Sequence, residues 1–455
     1  MKAERAVIIV LYVVAMFMVS IDGTIVNVLL PTIANEFGVA PGATNAINIG
    51  YLVSIAIALP AAGYLSNRFG VKKMYLLSVS LFTFASLLCG LADSLQALIL
   101  ARVLQGLAGG IITPVSMTLL FRTFSPPERQ SLSRSLVLPI AFAPAIGPLV
   151  GGLFSEYLSW NWAFFINIPF GLIIVLIGLY AVNEFELFKA PFDTKGYVLI
   201  AIGLPMLMLT LSLIASQGIS LAVLICAVIG VFLLRRFYVY EQQIKEPLLD
   251  VRLYEEPQFR SSSLVAMCSM GALMGMLYLF PLMYQYTYSA SPLESSLITF
   301  TEALGLMVAS KLLPGMAKRF GMLFTVRLGL IGTVIIFCCI AIIGPSANPW
   351  LLRGLMFAMG VCLGHSVIGS QISAFHHVAK SQMSKATTLY NMLNRVGAAA
   401  GIALVATTLT VTGRYFSEMH SYQYALIATV GLLLAGLGCS LFAKENESIL
   451  KGEKA

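Results

Sequence analysis

Apolar, charge-poor runs of about 20 residues recur along nearly the whole chain, and no other feature limits its fold as tightly. A helical run of that length crosses about 30 Å of hydrocarbon. Inside hydrocarbon every backbone N–H and C=O must be bonded within the protein, which leaves helices and closed barrels. A barrel would show short segments of alternating hydrophobicity, and the chain has none. Only 11% of the 455 residues are charged, against about 25% in a soluble domain. The chain therefore reads as an all-α polytopic membrane protein. Its net charge of +8 does not point to nucleic acid, because the cations gather in loops on one membrane face. The seven cysteines lie inside apolar runs without CxxC or Cys/His spacing, so neither disulfides nor a metal site is expected. The first run is too long for a leader's apolar core, and no small-residue cleavage site follows it.

Fourteen spans are predicted: 6–30, 45–64, 74–93, 97–120, 133–157, 162–182, 194–214, 219–238, 260–284, 295–314, 324–343, 348–371, 385–410 and 422–443. A twelve-span protein would carry a polar linker from 183 to 259. This chain has two apolar runs there, hinged at Ser216-Gln217-Gly218. The expected organisation is a six-helix bundle over 1–183, two inserted helices with a linker over 184–259, and a second six-helix bundle over 260–455. Positive charge accumulates in cytoplasmic loops. With both termini cytoplasmic, all of the 28 Lys and Arg except Arg102, Arg353, Arg395 and Arg414 fall on that side, including Arg68, Lys72, Lys73, Arg122, Arg129, Arg134, Lys318, Arg319, Lys380 and Lys385.

A faint repeat runs through the two halves. "NRFG" at Asn67–Gly70 recurs as "KRFG" at Lys318–Gly321, and the same offset of 251 (318 − 67) carries Arg102 onto Arg353 and Gly109 onto Gly360. Repeated halves around a midplane site are a transporter architecture.

Five motifs follow in order. They are "IDGTIVNVLLP" at Ile21–Pro31, "GYLSNRFGVKK" at Gly63–Lys73, "RVLQGLAGG" at Arg102–Gly110, "GPLVGG" at Gly147–Gly152 and "WNWAFFINIPFG" at Trp160–Gly171. Together they resemble the major facilitator superfamily over nearly the whole chain, specifically its fourteen-spanner drug:proton antiporters. The resemblance implies the major facilitator fold, two six-helix bundles plus two inserted helices. It implies gating roles for Gly63, Asn67, Arg68 and Gly70 in the loop after the second span. Gly147, Pro148, Gly151 and Gly152 would form the antiporter motif of the fifth. Glycines there also permit close helix packing, and proline permits a bend. The chain departs from the pattern at Asn67, where the family usually has an aspartate in a charge relay, and at Asn161, where it has arginine. Trp160 and Trp162 are expected at the membrane interface.

Of the 20 acidic residues, only Asp22 and Glu302 lie well inside predicted spans. An ionised side chain at a helix centre costs roughly 2.5–3.5 kcal/mol on insertion scales. Such residues face a cavity or a partner. Both acids sit about 10–12 Å below the outer boundary by the predicted ends, at about 1.5 Å per residue. Glu302 is the preferred proton-coupling or cation-binding acid because no motif accounts for it. Asp22 is second, and it could instead pair with Arg102 or Arg395. Arg102 resembles a family arginine implicated in proton transfer, and a structural ion pair is the other reading. Arg353 can snorkel to the outer face. His365 lies mid-span, where it could titrate near neutrality, and a neutral, hydrogen-bonded core histidine is the preferred reading.

Asn391, Asn394 and Arg395 form a polar stripe that suggests a cavity wall. Met267, Met270 and Met274 share a helical face continuing near Tyr278, which would suit lipophilic cations through polarizable sulfur and aromatic rings. Packing or lipid contact would use such a stripe equally well.

The function these features suggest is proton-coupled efflux of hydrophobic, cationic drugs by alternating access, with export of one metabolite, lipid or siderophore as the alternative. No P-loop or soluble catalytic domain argues for an ATPase, an enzyme or a receptor. No cofactor besides the coupling proton is expected. The partners are a small lipophilic substrate and the lipid bilayer of a bacterial cytoplasmic membrane, with no nucleic acid and a monomer as the working unit.

Overall fold

The computed structural model describes residues 2–124, 143, 146–184, 192–218, 220–244, 247–343, 348–376, 378–379 and 382–442. The basic residues Arg129, Arg134 and Lys380 fall outside these. The described chain is helical, with no strand. In the N-terminal half α1 is Lys2–Glu36, α2 Asn45–Phe69, α3 Val71–Gly90 and α4 Leu95–Thr123. The helix α5 covers 146–157, the described part of the fifth expected span. A single turn, α6 (Trp162–Phe165), leads into α7 (Asn167–Ala181). The inserted pair is α8 (Thr194–Gln217) and α9 (Leu221–Gln243). The second half is α10 (Pro257–Tyr288), α11 (Pro292–Phe320), α12 (Met322–Ile343), α13 (Pro349–Phe375), α14 (Met383–Thr412) and α15 (Glu418–Leu441). Thirteen spans among the described residues are long and apolar enough to cross a membrane, and α5 belongs to the fourteenth. Both runs between 183 and 259 are such helices, so that region is not a soluble linker.

Polar residues at the span ends close the helices by capping free amides. Ser94 accepts from Ala97 N at 3.4 Å and starts α4. Ser291 and Glu294 form a reciprocal capping box at the start of α11. The lipid-facing surface is apolar, most fully on α9, where Leu221, Val228 and Phe232 are exposed.

The repeat is present in three dimensions. The α2–α4 packing recurs as α11–α13, α3–α7 as α12–α15, and α1–α4 as α10–α13. One glycine alone separates α2 from α3 and α11 from α12, Gly70 at φ +99° and Gly321 at φ +91°. Only glycine adopts that region at low cost, so the 251-residue offset marks the same backbone reversal twice. The halves meet along α1–α10, α2–α14 and α1–α11, and α8 packs against both α2 and α14. All hydrogen bonds described between the halves lie at the end away from the N-terminus of α1. Tyr278 donates to Pro41 O (3.3 Å), Gln285 to Val28 O (3.0 Å), Tyr286 to Asn35 (3.2 Å), and Leu293 N to Glu156 (3.3 Å).

Within the C-terminal half α10 and α14 cross on bare backbone. A Cβ on Gly401 would meet Gly271 backbone atoms, and one on Gly271 would lie 2.8 Å from Gly397 O. Small residues let membrane helices approach this closely. Gly401→Ala is expected to cost about 1–3 kcal/mol by overpacking, seen as a lower melting temperature in detergent. Gly431→Ala, with no atom within 4 Å of its Cβ position, should leave it unchanged. Equal effects at both sites would refute the tight crossing.

Candidate functional site

The most polar point in the N-terminal half is Asp22, on α1. Its Oδ2 accepts from Arg102 Nη1 at 2.5 Å, and both side chains are 0% exposed. Its Oδ1 accepts from Gln105 Nε2 at 2.8 Å and from Asn167 Nδ2 at 3.1 Å. Arg102 also donates to Gln105 Oε1 at 2.8 Å. Gln105 donates onward to Ser86 at 2.7 Å. The guanidinium lies over the Tyr51 ring at 4.0 Å and near Phe164 at 5.6 Å. Arg102 and Gln105 are one turn apart on α4, so both reach the same carboxylate. The cluster ties α1 to α3, α4 and α7, with Tyr51 of α2 as its lid. Of the open readings for Asp22, the structure has the ion pair with Arg102. A carboxylate holding these donors has its oxygens occupied, and a buried charge needs such partners.

Glu302 is placed differently. It is 2% exposed on α11, and its Oε1 has no hydrogen-bond partner among the described residues. Its backbone carbonyl lies where a Cβ on Gly360 of α13 would go. The 251-residue offset (302 − 51) puts it at the position of Tyr51, whose carbonyl also closes on a glycine of the paired helix, Gly106, one turn before the Gly109 that corresponds to Gly360. Arg353, at the position of Arg102, turns instead onto Trp350 at 4.4 Å. The C-terminal half therefore has an acid where the N-terminal half has the aromatic lid, and no cation is paired with it among the described residues. Every hydrogen-bond and ion-pair partner of Asp22 is in its own half, and Glu302 is not among them.

On α10, Met267, Met270 and Met274 are half-buried, on a helix otherwise almost wholly buried from Ser261 to Tyr284. Tyr278 departs from that face, being fully buried with its hydroxyl on Pro41 O. Asn391, Asn394 and Arg395 are half-buried on α14, and Asn394 Oδ1 has no hydrogen-bond partner among the described residues. His365 Nδ1 lies 2.6 Å from Val361 O.

In the loop motif, Gly63 and Arg68 are exposed, with Arg68 over the Phe69 ring at 5.9 Å. Asn67 accepts from Arg122 of α4 at 3.1 Å, so this position joins α2 to α4 without a charge of its own. The carboxylate at this site comes from Glu184, just past α7. It accepts from Lys72 N (3.0 Å) and Lys73 N (3.2 Å), the first-turn amides of α3, where a negative charge meets the positive helix end. Sequence reasoning missed Glu184, because nothing near it in the chain marks it as a cap. It missed Gln105 and Asn167 as partners too, although both lie inside quoted motifs.

Close packing holds at the α5 glycines. A Cβ on Gly151 would lie 2.6 Å from Ile25 O of α1, and one on Gly147 3.1 Å from Ile21 O. One on Gly152 would lie 2.9 Å from Pro292 O of α11. Pro148 is buried beside them. Trp162 is 47% exposed, as an interfacial residue would be, but Trp160 is 1% exposed and donates to Glu36 at 2.6 Å. The expected interfacial place for Trp160 is thus corrected. α1 runs beyond its predicted end at 30 to Glu36, whose carboxylate, itself exposed, accepts the indole N–H of the buried Trp160.

Comparison with known proteins fits this arrangement. "Putative multidrug resistance protein MdtD" of Escherichia coli O6:H1 is 29% identical over 412 residues, 89% of this chain and 86% of that protein. The chain shares its fold with an auto-inhibited POT family peptide transporter (TM-score 0.73, 14% identity, 98% of each chain covered). A bacterial homologue of the human lysosomal transporter Spinster is similarly related (TM-score 0.69, 15% identity, 100% of this chain and 99% of that one). A family model described as Major Facilitator Superfamily matches residues 12–402, from α1 into α14. The chain belongs to the Major Facilitator Superfamily of membrane transporters.

Proposed function

We propose that the protein exports hydrophobic small molecules across a bacterial cytoplasmic membrane in exchange for protons, by alternating access between its two halves. The observation that carries the reading is Glu302, an enclosed acid without an ion-pair partner among the described residues, whereas Asp22 is already held by Arg102. An acid of this kind inside a membrane transporter is a functional site by default. Protonated, it is neutral and needs no counter-charge. Ionised, it attracts a cation. A cycle that loads a proton from one side and releases it to the other uses that difference. The membrane potential contributes about 2.3 kcal/mol per charge per 100 mV. Cationic drugs are the substrates this chemistry suits, and the name of the Escherichia coli relative supports drugs as the class. The distribution of Lys and Arg supports cytoplasmic termini, and in this reading a single chain carries out the cycle.

Purified protein in proteoliposomes with a pH-sensitive dye tests this. Adding a lipophilic drug should release protons across the membrane, and an imposed pH gradient should accumulate the drug. If a gradient moves no drug from a broad panel, antiport is wrong. A second reading, export of one metabolite, lipid or siderophore, is favoured by the half-buried Arg395 and would show as movement of a single compound class.

A further inference from the structure

Two acids meet where the start of α8 lies against the end of α9. Asp193 caps α8, its Oδ1 accepting from Gly196 N at 2.9 Å and from the Tyr240 hydroxyl at 3.0 Å. Glu241, in the last turn of α9, is 0% exposed, and its Oε2 accepts from Leu249 N at 3.1 Å. Each carboxyl has one oxygen left, Asp193 Oδ2 and Glu241 Oε1, and neither oxygen meets a donor among the described residues. The two converge. A Cβ on Gly196 would strike both of them, and the carboxyl groups lie within hydrogen-bonding range of each other. Phe192 stacks at 4.3 Å on Tyr64, near the end of α2, so the junction is on the face that carries the N-terminus of α1.

An ionised carboxylate only accepts hydrogen bonds, so two facing oxygens repel unless one bears a proton or a cation stands between them. Among the described residues no cation does. Lys195 is exposed and lies over the Tyr240 ring at 4.6 Å. Arg252 pairs with Asp250 at 3.2 Å and donates to Ile244 O at 2.7 Å. Of the other titratable groups around the pair, Tyr240 is bonded to Asp193, Tyr197 lies against Phe192 at 5.4 Å, and Tyr254 against Phe259 at 5.8 Å. Lys245 and Glu246 fall outside the described residues. No third acid, histidine or cysteine joins the two in a metal-binding group among the described residues. The backbone of α8 closes on both oxygens at Gly196, which leaves space for a proton and not for a hydrated ion.

We propose that Asp193 and Glu241 share one proton, and that this proton fastens the tether between the inserted pair and the second half. The tether is the segment from Ile244 to the start of α10, through the 3-10 turn Val251–Glu255. Glu241 holds it by the amide of the buried Leu249. Loss of the proton sets two like charges face to face in an enclosed place. They part either by Glu241 turning away, which frees Leu249, or by Asp193 leaving the α8 cap. The tether therefore loosens as the pH on that face rises. This concerns the connection of the halves and holds whatever compound the protein carries.

Hydrogen–deuterium exchange of the full-length protein in nanodiscs reads the tether. After correction for the intrinsic effect of pH on exchange, wild-type protection over 247–256 should fall by about tenfold or more between about pH 6 and about pH 9. Glu241→Gln can donate to Asp193 and still accept from Leu249, so its protection should stay within about twofold over that range. Asp193→Asn keeps a capping oxygen and should behave likewise. Glu241→Ala should lack the protection at every pH. Wild-type protection that is independent of pH overturns the proposal without any variant having to fold. An equal pH-dependent loss in Glu241→Gln and wild type overturns it too. So does wild-type protection restored at about pH 9 by calcium or magnesium, because an ion would then hold the two carboxylates.

Discussion

Arg102→Ala is expected to destabilise the protein by about 3–5 kcal/mol, the cost of leaving one member of a buried ion pair alone. Asp22 would keep Gln105 and Asn167, but two neutral amides do not balance a charge in a site with 0% exposure. The Tyr51 ring would lose the cation it covers. Asp22→Asn combined with Arg102→Gln removes both charges and keeps hydrogen-bonding groups, so it should be much closer to wild type than Arg102→Ala. Chemical or thermal denaturation in detergent, run as a double-mutant cycle, gives the coupling energy directly. A single-variant loss below about 1 kcal/mol, with additive effects in the double, would mean that the pair is solvated and that Asp22 is free for other work.

Glu302→Gln is expected to abolish drug accumulation driven by a pH gradient, a fall of at least about tenfold, equivalent to 1.4 kcal/mol, while drug binding and folding persist. Glutamine has the shape of a protonated glutamate and cannot release the proton, so the cycle stalls in its loaded form. Stability should be unaffected or improved, because Oε1 has no hydrogen-bond partner among the described residues to lose. Stopped proton flux with retained drug binding separates coupling from recognition. Should Glu302→Gln pump as well as wild type, the coupling acid lies elsewhere.

The fold was legible because hydropathy marks spans directly and because the offset of 251 repeats a glycine reversal, not merely a string of letters. The helices overran the apolar runs at several ends, and that overrun hid the Trp160–Glu36 bond. The site was less legible. Asp22 and Arg102 are 80 residues apart in the chain, and a sequence with two further intramembrane arginines does not say which one pairs. The answer came from the α1–α4 contact. Glu184 was invisible for a similar reason, since a cap for α3 supplied from the end of α7 leaves no local signature. Glu302 stood out from the start because charge inside a span is rare.

The inserted helix α8 touches α2 of one half and α14 of the other, and Thr407 of α14 donates to Leu211 O of α8 at 3.4 Å. The seam between the halves is therefore bound on that flank, like the spine of a book. Any rocking that parts α2 from α14 must slide α8 along at least one of them.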